Sequence, residues 1–192
     1  MKGRNATEEV FAKDRAAWRR WLEDHHATSP AVWLVLAKKR SVVQTVTYDE
    51  AVEEALCFGW IDSKANPVDG ERYKLWVAPR KARSGWSAVN KRRIDRLVAE
   101  GRMASAGLAA IDAAKADGSW SKLDASHALN IPKDLAAALK AYPHGRRNFD
   151  AFPASARRGI LQWIDGAKRP QTRAKRIEET ARLANDNLRA HQ

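Results

Sequence analysis

The residues of this chain best suited to chemistry are Trp60, Asp62 and Ser63, in the run from Gly59 to Lys64, and Arg80, Lys81, Arg83, Trp86 and Asn90 soon after it. A planar guanidinium meets a phosphate or carboxylate through two parallel N–H donors, and an indole beside it stacks on a flat group or shields the charge. These types in this order point to capture of an anion, with Asp62 and Ser63 on a pocket floor and Trp60 as its wall. The plainer reading makes Trp60 and Ile61 core and gives Asp62 turn hydrogen bonds or an arginine partner. Nine basic residues and a single acid, Asp95, lie between Arg72 and Arg96, with Trp76 and Trp86 among them. The chain's net charge is +12. Most of that excess therefore sits in this block, which predicts an anionic ligand or protein partner, with nucleic acid as the alternative. A second basic stripe, Lys168, Arg169, Arg173 and Arg176, places its arginines on one helix face, where Glu179 is spaced to pair with Arg176.

Much other chemistry finds no footing. The sequence has no glycine-rich phosphate loop, dinucleotide fingerprint, His-Glu-x-x-His or Cys-x-x-Cys, so no catalytic residue, cofactor or metal is assigned. The histidines at 25, 26, 127, 144 and 191 are scattered without ligand spacing. Ser119 to Lys122 has the Ser-x-x-Lys form of some acyltransferases, but its companion motifs are missing. Cys57, near the end of a capped helix, faces a negative partial charge that raises a thiol pKa, and it reads as buried and inert. An enzyme built on this chain would use Asp62 as acid/base, Ser63 or Cys57 as nucleophile and Arg80 as substrate anchor; only residue types favour that reading. One cysteine excludes an intrachain disulfide. The first residues lack the apolar stretch of a signal peptide, and the longest apolar run, Ala31 to Ala37, is far short of the ~20 residues that span a bilayer. A cytoplasmic protein without membrane insertion is expected; its oligomeric state is left open.

The elements that must position these residues follow from periodicity. Thr7 reads as the cap of a helix to His26, with Val10, Phe11, Trp18, Trp21 and Leu22 on one face. Ala31 to Ala37 reads as a strand buried on both faces. Thr47-Tyr-Asp-Glu50 is a capping box opening a helix with Val52, Ala55 and Leu56 inward and Gly59 as its stop. Trp60 to Ser63 is extended, Asn66 to Gly70 a turn, and Glu71 to Ala78 alternates Tyr73, Leu75 and Val77 against Arg72, Lys74 and Trp76. From Ser87 only helices are predicted. Ser87 caps one with Val89, Ile94, Leu97 and Val98 inward; Ala104–Ala116, Pro132–Ala141, Ser155–Ala167 and a last helix from Pro170, with Ile177 and Leu183 inward, follow. Strands gathered early and helices late predict an α+β fold. The expected division is an α+β domain over 1–118 and a helical domain over 119–192 packed on it, with Ser119–Ile131 as the linker.

Three blocks carry a resemblance. The run from Tyr48 to Ser63 resembles the N-terminal signature of the YdeI/OmpD-associated (bacteriocin-protection, OmdA-like) family. Pro79-Arg-Lys81, Arg83-Ser84, Trp86-Ser87 and Asn90 look like its second block, and Ala167 to Ile177 is similar to its C-terminal block. The likeness runs from about Phe11 to Leu183. It implies tolerance to bacteriocins or cationic peptides and association with an outer-membrane porin, and it brings no catalytic residues. The concentrated charge and the missing catalytic motifs add the expectation of a non-enzymatic binding or protective protein.

Overall fold

The computed structural model describes residues 8–191. Thr7, read as a helix cap, lies outside the described residues. The chain divides into two compact units, Met1–Ser121 and Lys122–Gln192.

The first unit opens with a difference from the expected helix. Val10 and Phe11 lie in strand β1 (Glu9–Phe11), and helix α1 is Arg15–His25. The cause is local. The Asp14 side chain accepts from Ala17 N at 2.7 Å, so the helix is capped there and the residues before it are released to pair with a strand. Strand β2 (Val32–Ala37) follows, then α2 (Tyr48–Cys57), β3 (Trp60–Pro67), β4 (Arg72–Pro79), α3 (Ala88–Ala99) and α4 (Ser105–Ala116). The strands form one sheet in the order β1-β2-β4-β3, in which β1 runs parallel to β2 and the other pairs are antiparallel. Alternation along β2 and β4 puts Leu34, Leu36, Leu75 and Val77 into a core shared with Trp18 and Leu22 of α1 and Val52, Ala55 and Leu56 of α2. The α+β class is thus the observed one. In α3, Ile94 and Leu97 are buried, but Val89 and Val98, expected inward, are exposed.

Helix α2 is the centre of this unit. The capping box is present, with Thr47 and Glu50 serving each other's backbone. Its end is marked by Gly59 at φ +74, a left-handed position that glycine takes without strain. Helix α4 approaches so closely that a Cβ on Gly107 would stand 2.2 Å from the Cys57 carbonyl oxygen. Every residue from Ala51 to Cys57 is buried, including Glu53 at 7% exposure and Glu54 at 0%. Arg15 Nε donates to Glu54 Oε1 at 2.5 Å, Arg19 Nη1 to Glu54 Oε2 at 2.9 Å, and Arg102 Nη2 also to Oε1. Glu53 accepts from Arg96, while Arg15 Nη2 sits 2.9 Å from its Oε2 but off the hydrogen-bonding direction. Burial acts most strongly against the charges of Arg15 and Arg19. The hydrogen bonds and field of Glu54 outweigh it, and both pKa values are raised.

The second unit is helical: α5 (Asp124–His127), α6 (Lys133–Lys140), α7 (Gly145–Ala151), α8 (Ala154–Asp165) and α9 (Pro170–Asn185). Leu135, Leu139, Phe149, Ile160, Leu161, Ile164, Ile177 and Ala181 make its core. Pro132 stands just before α6, at its N-cap position rather than in its first turn and without a capping hydrogen bond, and Pro170 takes the first turn of α9. Helix α7 is not among the elements that periodicity predicts, and the segment expected as an open linker is turns and the single turn of α5, with Ser119 and Ser126 buried.

Removing one partner from a buried charge cluster leaves the others uncompensated, so Glu54→Gln is expected to cost about 3–5 kcal/mol of unfolding free energy. The exposed Glu23→Gln, which loses a surface contact to Arg19, is expected to cost under about 1 kcal/mol. Urea unfolding of the two variants beside the unmodified chain checks both figures.

Candidate functional site

The loop from β4 to α3 carries the densest group of the predicted residues. Arg80 is anchored by its backbone, whose N–H donates to the Gly59 carbonyl at 3.0 Å. Its Nη2 donates to Gly85 O at 2.8 Å, and its guanidinium carbon stands 3.8 Å from the Trp86 ring centroid. Its Nε is buried with no hydrogen-bond partner among the described residues. Burial lowers the Arg80 pKa to about 10, with Asp62 acting through space in the other direction, so the side chain stays cationic at neutral pH. Trp86 is 2% exposed and packs on Trp120 with centroids 5.1 Å apart. The ammonium groups of Lys91 and Lys115 lie 5.1 and 5.7 Å from the Trp120 ring.

Arg80, Lys81, Arg83 and Trp86 line one hollow of about 190 Å³, closed on its far side by α4 and by Asp117 and Ser119 just after it. Arg83 sits at the tip of the loop with φ 60, a conformation that costs a residue with a Cβ about 1–2 kcal/mol. Asp117 holds it there. Its carboxylate accepts from Ser119 and from the Arg83 backbone N–H, and these contacts keep its pKa below the ordinary value. In the sequence, Asp117-Gly118 reads only as a helix stop. Asp followed two residues later by Ser, the signature of a side chain that caps its own turn, is the signal that marks Asp117 and Ser119.

The other predicted residues lie elsewhere. Trp60 is a correction: it is 1% exposed, donates from Nε1 to His26 O at 3.2 Å and packs edge-on against Trp21 in the core, so it walls no pocket. Asp62 is half-buried on β3 and accepts from Tyr48 Oη at 2.9 Å; with burial acting first, this bond pushes the Tyr48 pKa up to about 12. Ser63 is exposed on β3. Asn90, in the first turn of α3, accepts from Arg93 at 3.2 Å. None of these four lines the hollow. The basic block also disperses. Arg72 pairs with Asp69, Lys74 with Glu9, Arg93 with Asp49, and Arg96 with Glu53 and Glu100. In the second basic stripe Arg173 bridges Asp134 and Asp165 at 2.7 and 3.1 Å, and Arg176 turns to the Trp163 carbonyl and ring instead of Glu179. Lys168 and Arg169 are exposed. Cys57 is fully buried, apart from Ser63 on its strand surface. Among the described residues no group of three His, Cys, Asp or Glu is placed to hold a metal, and no helix is long and apolar enough to cross a membrane.

Residues 10–110 match a domain of unknown function, DUF8412, which covers more than half of the chain. The chain belongs to the DUF8412 family. Its residues 128–187 match a second family model, described as bacteriocin-protection, YdeI or OmpD-associated (OmdA), and to that extent are similar to it. No curated protein and no solved structure matches. The extent of the OmdA likeness is therefore narrower than the sequence blocks implied. Only the block Ala167–Ile177 falls inside the OmdA match, while the runs at 48–63 and 79–90 fall inside DUF8412, as does most of the hollow.

Two outcomes follow from this geometry. Burial first, and Glu54 next, push the Cys57 thiol up to about 11, against Arg19 and Arg102. An unfolded thiol ionises near ~8.5, so folding stability is full below that pH and is lost as the pH rises through the folded value. Iodoacetamide at mildly alkaline pH should label the native chain only as fast as it unfolds, and labelling as rapid as in urea would contradict a sealed sulfur. At the loop tip, Arg83→Gly should be more stable than Arg83→Val by about 1–2 kcal/mol in thermal unfolding, since only the second keeps a Cβ in the left-handed region.

Proposed function

We propose that this chain is a non-enzymatic binding protein that holds an anionic group in the Arg80–Trp86 hollow, in a protective role of the kind the OmdA description names. Tolerance to bacteriocins or cationic peptides would then act through that anionic ligand or partner, in the cytoplasm. The observation that carries the reading is Arg80: a guanidinium largely withdrawn from water, flat on an indole, with one donor unspent and no carboxylate within ion-pair distance among the described residues. Arg80 lines the hollow, so an anion entering it meets a positive charge already partly stripped of water. Lys81 and Arg83 add positive charge at the rim against the single carboxylate of Asp117. A volume of about 190 Å³ is below the ~300 Å³ of ordinary ligand pockets and suits one phosphate- or carboxylate-sized group.

Inorganic phosphate titrated against tryptophan emission tests this, because Trp86 lies against the binding guanidinium. A saturable change is expected from the unmodified chain. Arg80→Glu, checked for native circular dichroism, should weaken it by about ten- to one-hundred-fold, the worth of a charge-assisted hydrogen bond. Absence of a saturable response, or an Arg80→Glu curve that overlays the parent, would dismiss the hollow as an anion site.

A further inference from the structure

The face of the sheet turned away from the core carries a feature independent of the hollow. The alternation that sends Leu34, Leu36, Leu75 and Val77 inward sends Trp33, Val35, Lys74 and Trp76 to the other side. Glu9 and Phe11 join them through the pairs Glu9↔Trp33 and Phe11↔Val35. Phe11 is 52% exposed and Trp33 and Trp76 are half-buried, while Val35 beside them is buried. The Trp33 and Trp76 rings meet edge to face with centroids 4.9 Å apart at 74°. Lys64 of β3 sets its ammonium 5.3 Å from one ring and 5.4 Å from the other. Lys74 stands 5.1 Å from the Trp33 centroid while also pairing with Glu9.

We propose that this face binds single-stranded nucleic acid, with Phe11, Trp33 and Trp76 stacking on unpaired bases and Lys64 and Lys74 meeting the neighbouring phosphates. Trp33 and Trp76 are directly opposed on the adjacent strands β2 and β4, and Phe11 on β1 is displaced from Trp33 by two residues along the sheet, on the same face. A four-stranded sheet with aromatics on its open face is a known way to stack two or three splayed bases. Stacking needs only the π face that every base has, and Lys64 and Lys74, now over those faces, are long enough to yield them to a base and follow its phosphates. Other occupants fit worse. A second copy of the chain would bring up a face with the same two ammonium groups and a single carboxylate, Glu9, a net like charge on both sides. A lipid or apolar protein surface would strip water from two ammonium groups and return only the charge of Glu9.

Fluorescence anisotropy with a labelled oligo-dT strand tests this, with a duplex of equal length and heparin as comparisons. The single strand should bind more tightly than the duplex, with log affinity falling against log salt at a slope of roughly −1.4 for two phosphates neutralised. Trp76→Ala should weaken binding by about five- to 150-fold, the worth of one stacked base, and Lys64→Glu, at an exposed position, should weaken it while leaving the fold intact. Arg80→Glu should leave it unchanged, which separates this face from the hollow. The proposal is overturned if no strand binds, if the duplex or heparin binds as tightly, or if Arg80→Glu alone abolishes binding. Parent-like affinity in Lys64→Glu also overturns it, and this variant decides the question should Trp76→Ala lose its circular dichroism.

Discussion

The carboxylate of Glu54 is the point on which the N-terminal unit is assembled. It is fully buried, on a helix whose residues from Ala51 to Cys57 are all buried, and guanidinium groups reach it from α1 and from the segment after α3. A buried ion pair is weak evidence of net stability against an apolar alternative, but it is exacting about geometry, since each donor must arrive in register. That exactness fixes where α1 crosses α2 and where Arg102 turns into α4. The close approach at Gly107 then follows, because a helix led into contact at its first turn leaves no room for a side chain there.

Strand β4 links the clamp to both candidate surfaces. Its inward residues, Leu75 and Val77, belong to the core that α2 covers. Its outward residues, Lys74 and Trp76, form part of the aromatic face, and its end delivers Arg80 to the hollow. The backbone bond from Arg80 to Gly59 ties that loop to the C-terminal end of α2. A guanidinium half out of water can be held against an indole only if both ends of its loop are fixed. Here they are, at Gly59 on one side and at the Ser87 cap of α3 on the other.

Much of this was legible in the residues. The capping box at Thr47, the strand from Val32, the alternation of β4, the Ser87 cap and the proline start of α9 are local signals, and each appears where its chemistry requires. What was hidden was tertiary. Nothing in the period of α2 said that Glu53 and Glu54 would be buried, because their partners lie some 35 to 48 residues away in sequence. Val10 and Phe11 fitted a helical face as well as a strand, and only pairing with β2 distinguishes the two. At the site, the loop residues Arg80, Lys81, Arg83 and Trp86 come together because they are sequence neighbours. Trp60 and Asp62 are led away by the β3 register, which places Trp60 opposite Pro79 and Asp62 opposite Val77. In the sequence Trp33 and Trp76 are only a strand residue and a wet-face residue; their meeting depends on a pairing between strands separated by a helix and a hairpin.

Arginines that point inward at Glu53 and Glu54 contribute to the formal charge of +12 but little to the potential a distant molecule feels, since each dipole fades within a Debye length of about 8 Å. Up to Ser121 the sequence holds twenty-one basic and sixteen acidic residues, and from Lys122 onward fourteen and seven. The long-range field of this protein is accordingly weighted toward its helical unit, where Lys168 and Arg169 stand exposed.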